Sequence, residues 1–438
     1  MAGGAGGVIY LSSAHIPIIP NQMSISLVIV VILALYVAFN LGANDVANAM
    51  GTSVGSKAVT LKQAIIIAGV LEFTGAVLFG HGVTETLGTK IANPDLFIAT
   101  PQILALGMAT VLISSGVWLQ IATARGLPVS SSHAVVGAIT GFTWVTLGLN
   151  AIDLSSIGLI TIGWILTPII SAVIAAFFYS LIQHWILLQP NPHRQLQEWI
   201  PWLSTILLSI FGVIVLPSLT QPLTNLVLEK FGLNIPAHDI PIFTGATAAI
   251  GLTIYSWRKL DFATVQNPTE QLFGRFQLLS ACFVAFAHGS NDVGNAIAPL
   301  AVIFYINQTS SVPNHGISIP LWIMILGGAG IVAGLAIWGK KVIATIGENI
   351  ISLQPSSGFC AELATATTIL IASRLGLPVS TSHALVGGVV GIGLVQNLKS
   401  IKFQTLKGIA AAWVITVPIS AVISASIFSI IRMILNLN

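Results

Sequence analysis

Gly42-Ala43-Asn44-Asp45-Val46-Ala47-Asn48-Ala49 closes an apolar run that begins near Ser24. Crossing a bilayer as a helix takes about 20 residues, so the run spans, yet it delivers a carboxylate flanked by two side-chain amides. A near copy follows a second apolar run: Gly289-Ser290-Asn291-Asp292-Val293-Gly294-Asn295-Ala296. A single such Asp would read as a helix cap at a wet membrane end. Two copies, one in each half, favour a duplicated machine with a polar centre, in keeping with intramembrane acids marking functional sites.

The composition agrees. Of 438 residues 55% are hydrophobic and 7% charged, against about 25% charged in soluble domains. The chain is therefore read as an integral membrane protein. The alternation of a membrane barrel is absent, which leaves an all-α protein. The net charge of +3 sits mostly in loops and points to no nucleic-acid partner. Cys282 and Cys360, both in apolar surroundings, give no disulfide framework. The glycine-rich start has no basic region, so no cleaved signal peptide is expected and the first span serves as the insertion signal.

Working outward, apolar segments fall near 24–43, 62–80, 101–124, 131–148, 156–186, 201–228 and 238–257. In the second half they fall near 273–288, 318–339, 358–376, 382–397 and 406–433. A polar link at Gln189–Arg194 and a loop at Trp257–Asp261 interrupt them. Ten to twelve membrane segments are expected, some short or re-entrant. The halves align: Asn44 and Asn291 differ by 247 positions, and Gly75, Gly80 and Gly88 each differ by 259 from Gly334, Gly339 and Gly347. Pro128-Val129-Ser130-Ser131-Ser132-His133-Ala134 differs by 250 from Pro378-Val379-Ser380-Thr381-Ser382-His383-Ala384. Lys57 and Lys62 follow the first signature, whereas Arg258, Lys259 and Arg275 precede the second. Short cytoplasmic loops collect Lys and Arg, so the repeats are expected to enter the membrane from opposite sides, with the N-terminus outside. The expected plan is a tail at 1–23, a first inverted repeat at 24–188, a linker with two membrane helices at 189–269, and a second inverted repeat at 270–438.

Asp45 and Asn48 share a helix face. Carboxylate, amide and backbone oxygens freed by a helix break suit a small cation, and Gly42 and Gly289 would permit such breaks. In the serine motifs, Gly126-Leu127-Pro128 and Gly376-Leu377-Pro378 read as a break after one helix, and the hydroxyls as the first turn of the next. Helix N-termini bind anions through free N–H groups and the dipole. Ser130, Ser131 and Ser132, with Ser380, Thr381 and Ser382, would add hydroxyl donors without fixed charge. Capping alone also favours Ser and Thr there. His133 and His383 could titrate, donate to the anion or support the loop. Glu72 and Glu362 lie inside apolar runs and are not repeat mates: Glu72 falls opposite Ile331 and Glu362 opposite Leu112. Each is a possible cation ligand or proton site. Gln120 and Gln63 are weaker candidates, and Arg125 and Arg374 are read as interfacial, snorkelling residues.

The doubled G-A-N-D-V-A-N-A signature, P-V-S-[ST]-S-H in both halves and Ser357-Gly358-Phe359-Cys360-Ala361-Glu362-Leu363 resemble the inorganic phosphate transporter family, over essentially Ser24 to Ile431. The resemblance implies inverted repeats with two re-entrant helical hairpins, commonly a dimer. It implies sodium ligands at Asn44, Asp45, Asn48, Asn291, Asp292 and Asn295, and phosphate at Ser130, Ser131, Ser132, Ser380, Thr381 and Ser382. Glu72 and Glu362 match family acids implicated in transport. This chain departs from the pattern at Ser290 and Gly294, and carries Ser132 and Ser382 where many members have Thr. The short link between halves suggests a prokaryotic or organellar protein.

The expectation is a non-enzymatic symporter in the plasma (inner) membrane that takes up inorganic phosphate with sodium, or with protons. It needs no cofactor beyond the co-transported cation. Its partners are phosphate, the cation, the lipid bilayer and a second copy as homodimer. The alternatives are a sulfate permease of the same fold, a passive anion channel, or an intramembrane aspartyl protease using Asp45 and Asp292. Two acids at the centre count against the channel. The adjacent Asn residues and the serine motifs count against the protease, and Ser132 and His133, as neighbours, make no nucleophile–base pair.

Overall fold

A computed structural model describes residues 21–127, 129–233, 235–260, 267–313, 316–340, 343 and 353–435. Most of the 1–23 tail, Pro128 and Gly347 lie outside the described residues. The chain is helical: α1 Asn21–Gly55, α2 Leu61–Phe79, α3 His81–Thr89, α4 Pro101–Ala124, α5 Ser131–Leu147, α6 Leu154–Ile182, α7 Pro192–Ile214, α8 Leu216–Phe231, α9 Asp239–Leu260, α10 Pro268–Thr309, α11 Leu321–Ile337, α12 Pro355–Arg374, α13 Thr381–Gln396 and α14 Phe403–Ile434. Among the described residues the only β pairing is an isolated bridge between Ala92 and Ile152. Eight of these helices are long and apolar enough to cross a membrane; α11 and α13 are shorter apolar helices. Outward faces stay apolar, as at Val414 and Phe243.

Local chemistry sets the boundaries. Thr60 and Gln63 form a reciprocal capping box that starts α2. Asp153 starts α6, accepting from the backbone N–H groups of Ser155 and Ser156 and from the Ser156 hydroxyl. The hairpins α4–α5 and α12–α13 turn as the sequence predicts, at a glycine. Gly126 and Gly376 have φ of +66° and +67°, where a side chain is strained. The N–H of Leu127 reaches the carbonyl of Ala122, and that of Leu377 the carbonyl of Ala372, each at 2.9 Å. Both helices thus end in the same Schellman closure.

Three expectations differ from the fold. The helix does not break at Gly42 or Gly289: α1 and α10 run unbroken through both signatures. These glycines serve approach instead, since a Cβ would lie 2.0 Å from the Ile331 carbonyl at Gly42 and 2.0 Å from the Glu72 carbonyl at Gly289. The apolar stretch 201–228 is two helices, divided at Val215, where Pro217 opens α8 and supplies no N–H to continue α7. The loop expected from Trp257 is still helix, because α9 runs on to Leu260.

The packing is reciprocal between the halves. Helix α1 packs on α11 while α10 packs on α2, and α5 packs on α14 while α13 packs on α6. The close contacts follow suit. Gly42 meets Ile331 and Gly289 meets Glu72; Gly75 meets the Phe286 carbonyl and Gly334 that of Phe39. Each pair of contacts joins positions that the two sequence offsets match.

Candidate functional site

The signature residues of α1 and α10 meet the first turns of α5 and α13 in one buried centre. Asn48 Nδ2 lies 3.4 Å from both Asp45 Oδ1 and Thr381 Oγ1. The Thr381 hydroxyl donates to Asp292 Oδ2 at 3.0 Å. In the other direction Asn295 Nδ2 donates to Ser131 Oγ and Ser132 Oγ, each at 3.2 Å. So the second asparagine of each signature reaches the hydroxyl turn of the opposite half. The first asparagines tie down the hairpin tips of their own half. Asn44 donates to Thr123 Oγ1 at 2.8 Å. Asn291 donates to Ser373 Oγ and to the Leu377 carbonyl and accepts from the Val379 N–H.

The serine turns are helix starts. Ser130 and Ser380 are N-caps, each accepting from the backbone N–H three residues on, at His133 and His383. Ser380 Oγ and Ser382 Oγ are 2.9 Å apart, and the Ser132 hydroxyl donates to the Val379 carbonyl at 3.0 Å. Ser131 faces Asn295 of the opposite half, and Thr381 faces both Asn48 of the opposite half and Asp292 of its own. The helix N-termini therefore direct free N–H groups and hydroxyls at one enclosed place, an arrangement suited to an anion.

His288 is the residue the sequence reading passed over. It stands one turn before Asp292 on the same face of α10. Its Nε2 lies 2.9 Å from Asp292 Oδ2 and its Nδ1 lies 3.2 Å from Glu72 Oε1, fully buried. These are ion-pair distances without hydrogen-bond alignment, since neither ring nitrogen makes a directed bond. Its repeat counterpart is Leu41, so a search for matched polar positions cannot find it. The usable signal was its i,i+4 spacing to Asp292 together with the unpaired Glu72. Asp45, His288 and Asp292 bring a ligand atom each within 4.8 Å of one another.

The buried oxygens of this centre are only partly used. Asp45 Oδ2, Asp292 Oδ1 and Asn295 Oδ1 accept no hydrogen bond among the described residues. Buried acceptors are costly unless paired, and oxygen acceptors around carboxylates are a hard-cation ligand set. No lysine or arginine is buried among the described residues. An anion at the hydroxyl turns would therefore take its positive neighbour from a protonated His288 or from a mobile cation.

Glu362 is placed apart from this centre. Its Oε1 accepts from Thr52 at 2.7 Å, Ser53 at 2.5 Å and Gln277 at 3.0 Å, and its Oε2 accepts from Ser280 at 2.7 Å. These partners lie beyond the first signature on α1 and before the second on α10. Of the weaker candidates, Gln63 caps α2, while Gln120 accepts from the Tyr36 hydroxyl. Arg125 is exposed; Arg374, also exposed, donates to Ser218 on α8.

A sequence model of the phosphate transporter family matches residues 41–424. The chain belongs to the phosphate transporter family. Relatives named for the same activity agree. A putative phosphate permease of Haemophilus influenzae is 38% identical over 416 residues, covering 93% of this chain and 97% of that protein. The chloroplastic inorganic phosphate transporter 2-1 of Arabidopsis thaliana is 38% identical over 406 residues, covering 89% of this chain and 69% of that protein. The solved structure of a sodium-dependent phosphate transporter superposes with a TM-score of 0.85 at 34% identity, over 93% of this chain and 99% of that one. Membership of the phosphate transporter family gives the hydroxyl turns and signature acids their context: the protein is a multi-pass membrane transporter protein, not a soluble binding module.

Proposed function

We propose that the protein is a secondary active transporter that takes up inorganic phosphate by symport with a cation, sodium in the first place. The observation that carries this is the pairing, in one buried centre, of two hydroxyl-lined helix N-termini with carboxylate and amide oxygens that lack donors. Phosphate is held by Ser130, Ser131, Ser132, Ser380, Thr381 and Ser382. Sodium is held by oxygens of Asp45, Asn48, Asp292 and Asn295, with Asn44 and Asn291 fixing the hairpin tips beside them. Binding of cation and anion in one desolvated place is mutually favourable, and that reciprocity is coupling. Glu72, through His288, and Glu362, in its own nest, are the further acids of coupling. The sodium dependence in the structural relative's name supports sodium here; a proton is the second reading, because imidazole and carboxylates would accept one.

The reciprocal contacts support two inverted repeats, at 24–188 and 270–438, flanking the 189–269 linker. Bilayer-spanning helices and bacterial relatives support the plasma (inner) membrane, and family habit supports a homodimer. A sulfate permease would share this fold. An aspartyl dyad of Asp45 and Asp292 is disfavoured because an amide or a hydroxyl, Asn48 or Thr381, already bonds each acid. Radiolabelled phosphate uptake into proteoliposomes, with sodium replaced by choline and with sulfate as competitor, tests the reading. Uptake that needs sodium and ignores sulfate is expected; uptake indifferent both to the replacement of sodium and to collapse of a proton gradient, or blocked by sulfate, contradicts it.

A further inference from the structure

The histidines behind the hydroxyl turns form a crossed pair. His133 Nδ1 lies 3.1 Å from the backbone carbonyl oxygen of Trp413 on α14, and His383 Nδ1 lies 2.9 Å from that of Trp164 on α6. Each imidazole also packs on the tryptophan ring of its own half. The centroid distances are 3.8 Å for His133 with Trp164 and 3.7 Å for His383 with Trp413. The two imidazoles meet edge to face at 4.8 Å. Trp164 Nε1 in turn donates to the Pro378 carbonyl, at the entry to the second turn. Trp164, His133, His383 and Trp413 thus form one continuous ring stack behind both turns, and each turn is anchored to a helix of the opposite half.

Chemistry decides between the roles open to these histidines. A carbonyl oxygen only accepts, so Nδ1 carries the proton in both rings. In the neutral ring Nε2 is then a bare lone pair. Both Nε2 atoms are buried without a partner among the described residues. A ring whose one proton is committed to a tryptophan carbonyl has no donor left for an anion. What remains is spacing: the imidazole contact lies between the two turns, and the Ser132 bond to the Val379 carbonyl closes the same gap.

We propose that His133 and His383 are positioning residues that set the separation of the two hydroxyl turns and thereby select the oxyanion by size. The inference rests on the reading of those turns as the phosphate site. Aromatic contacts and directed hydrogen bonds fix such a spacing more narrowly than aliphatic packing does. Arsenate, a larger tetrahedral oxyanion of the same charge, is the probe.

The test uses the full chain in proteoliposomes, with His133→Ala, His383→Ala, the double variant, and His133→Asn and His383→Asn, which keep an N–H for the carbonyl. The expected result is a phosphate KM raised at least about tenfold in either Ala variant, equivalent to about 1.4 kcal/mol. The maximal rate falls far less, and the arsenate-to-phosphate competition ratio shifts. The double variant is no worse than the single ones, because contacting residues are non-additive, and the Asn variants recover most of the KM. An unchanged competition ratio in Ala variants that elute as the unsubstituted protein does, or fully additive losses, would overturn the inference. If the Ala variants do not fold, His133→Phe and His383→Phe, which fill the ring's place but offer no N–H to the tryptophan carbonyl, decide by the same ratio. Absence of phosphate uptake by the unsubstituted protein would overturn the transport reading itself, together with this one.

Discussion

Gly289 on α10 lies against the backbone carbonyl of Glu72 on α2, so closely that a Cβ there would be 2.0 Å from that oxygen. The approach sets Glu72 beside His288, and through His288 beside Asp292. The mirror contact, Gly42 on Ile331, uses the same spacing but meets an aliphatic residue. One backbone geometry is thus used twice, once for packing and once to set a buried carboxylate beside an imidazole.

Gly289→Ala and Gly42→Ala should each destabilise by more than the about 1–3 kcal/mol usual for overpacking, because backbone atoms, not a movable side chain, stand in the way. Gly251→Ala on α9, whose added Cβ meets nothing within 4 Å, should be neutral or slightly stabilising, since Ala is the better helix former. Thermal melts in detergent check this. Equal melting temperatures for all three would refute the packing role.

Asp45→Asn and Asp292→Asn should each abolish cation-coupled phosphate uptake while leaving the protein folded. Asparagine keeps the shape and an acceptor, so the local bonds to Asn48 and Thr381 have a substitute, but the charge that attracts a cation is lost. Uptake assays beside size-exclusion profiles check it, and normal sodium-driven uptake by either variant would remove that acid from the mechanism.

His288→Leu should destabilise by about 1–3 kcal/mol, the usual cost of leaving a buried polar group without a partner, here Glu72. The double variant His288→Leu/Glu72→Ile installs the residues of the matching positions, Leu41 and Ile331, both of which are buried in the apolar core. It should recover most of the stability and none of the uptake. A double variant as unstable as the single one would show that the pair is not the source of the loss.

The proposed opposite orientation of the two halves has its own check. Lys57→Cys, just past α1, should react with an impermeant thiol reagent only from the cytoplasmic side, and Thr309→Cys, at the end of α10, only from outside. The two native thiols contribute little background, Cys360 being buried and Cys282 half-buried. Labelling of both from one side would contradict the inverted arrangement.

The hairpins were legible in the sequence because glycine, proline and hydroxyl residues each force a local geometry. Gly126 and Gly376 close one helix, and Ser130 and Ser380 cap the next. The convergence of the two signatures was legible through repetition alone. Two things were not. A glycine in a membrane helix can mark a break or a close approach, and Gly42 and Gly289 are approaches; nothing local to the sequence separates these uses. His288 escaped because the centre is asymmetric: the duplicated scaffold holds an imidazole beside a carboxylate on one side and Leu41 and Ile331 on the other. Glu362 likewise finds its donors at Thr52, Ser53, Gln277 and Ser280, on α1 and α10 rather than in its own half alone.

On the proposed mechanism, cation binding at Asp45 and Asp292 draws phosphate onto the hydroxyl turns. Proteoliposomes loaded with phosphate and placed in equal external phosphate read this out. An inward sodium gradient, or an inward proton gradient if the proton is the coupling ion, should drive labelled phosphate above its equilibrium level inside, and collapsing the gradient should release the excess. Flux that only equalises phosphate under either gradient would exclude coupled transport and make the protein a passive pathway.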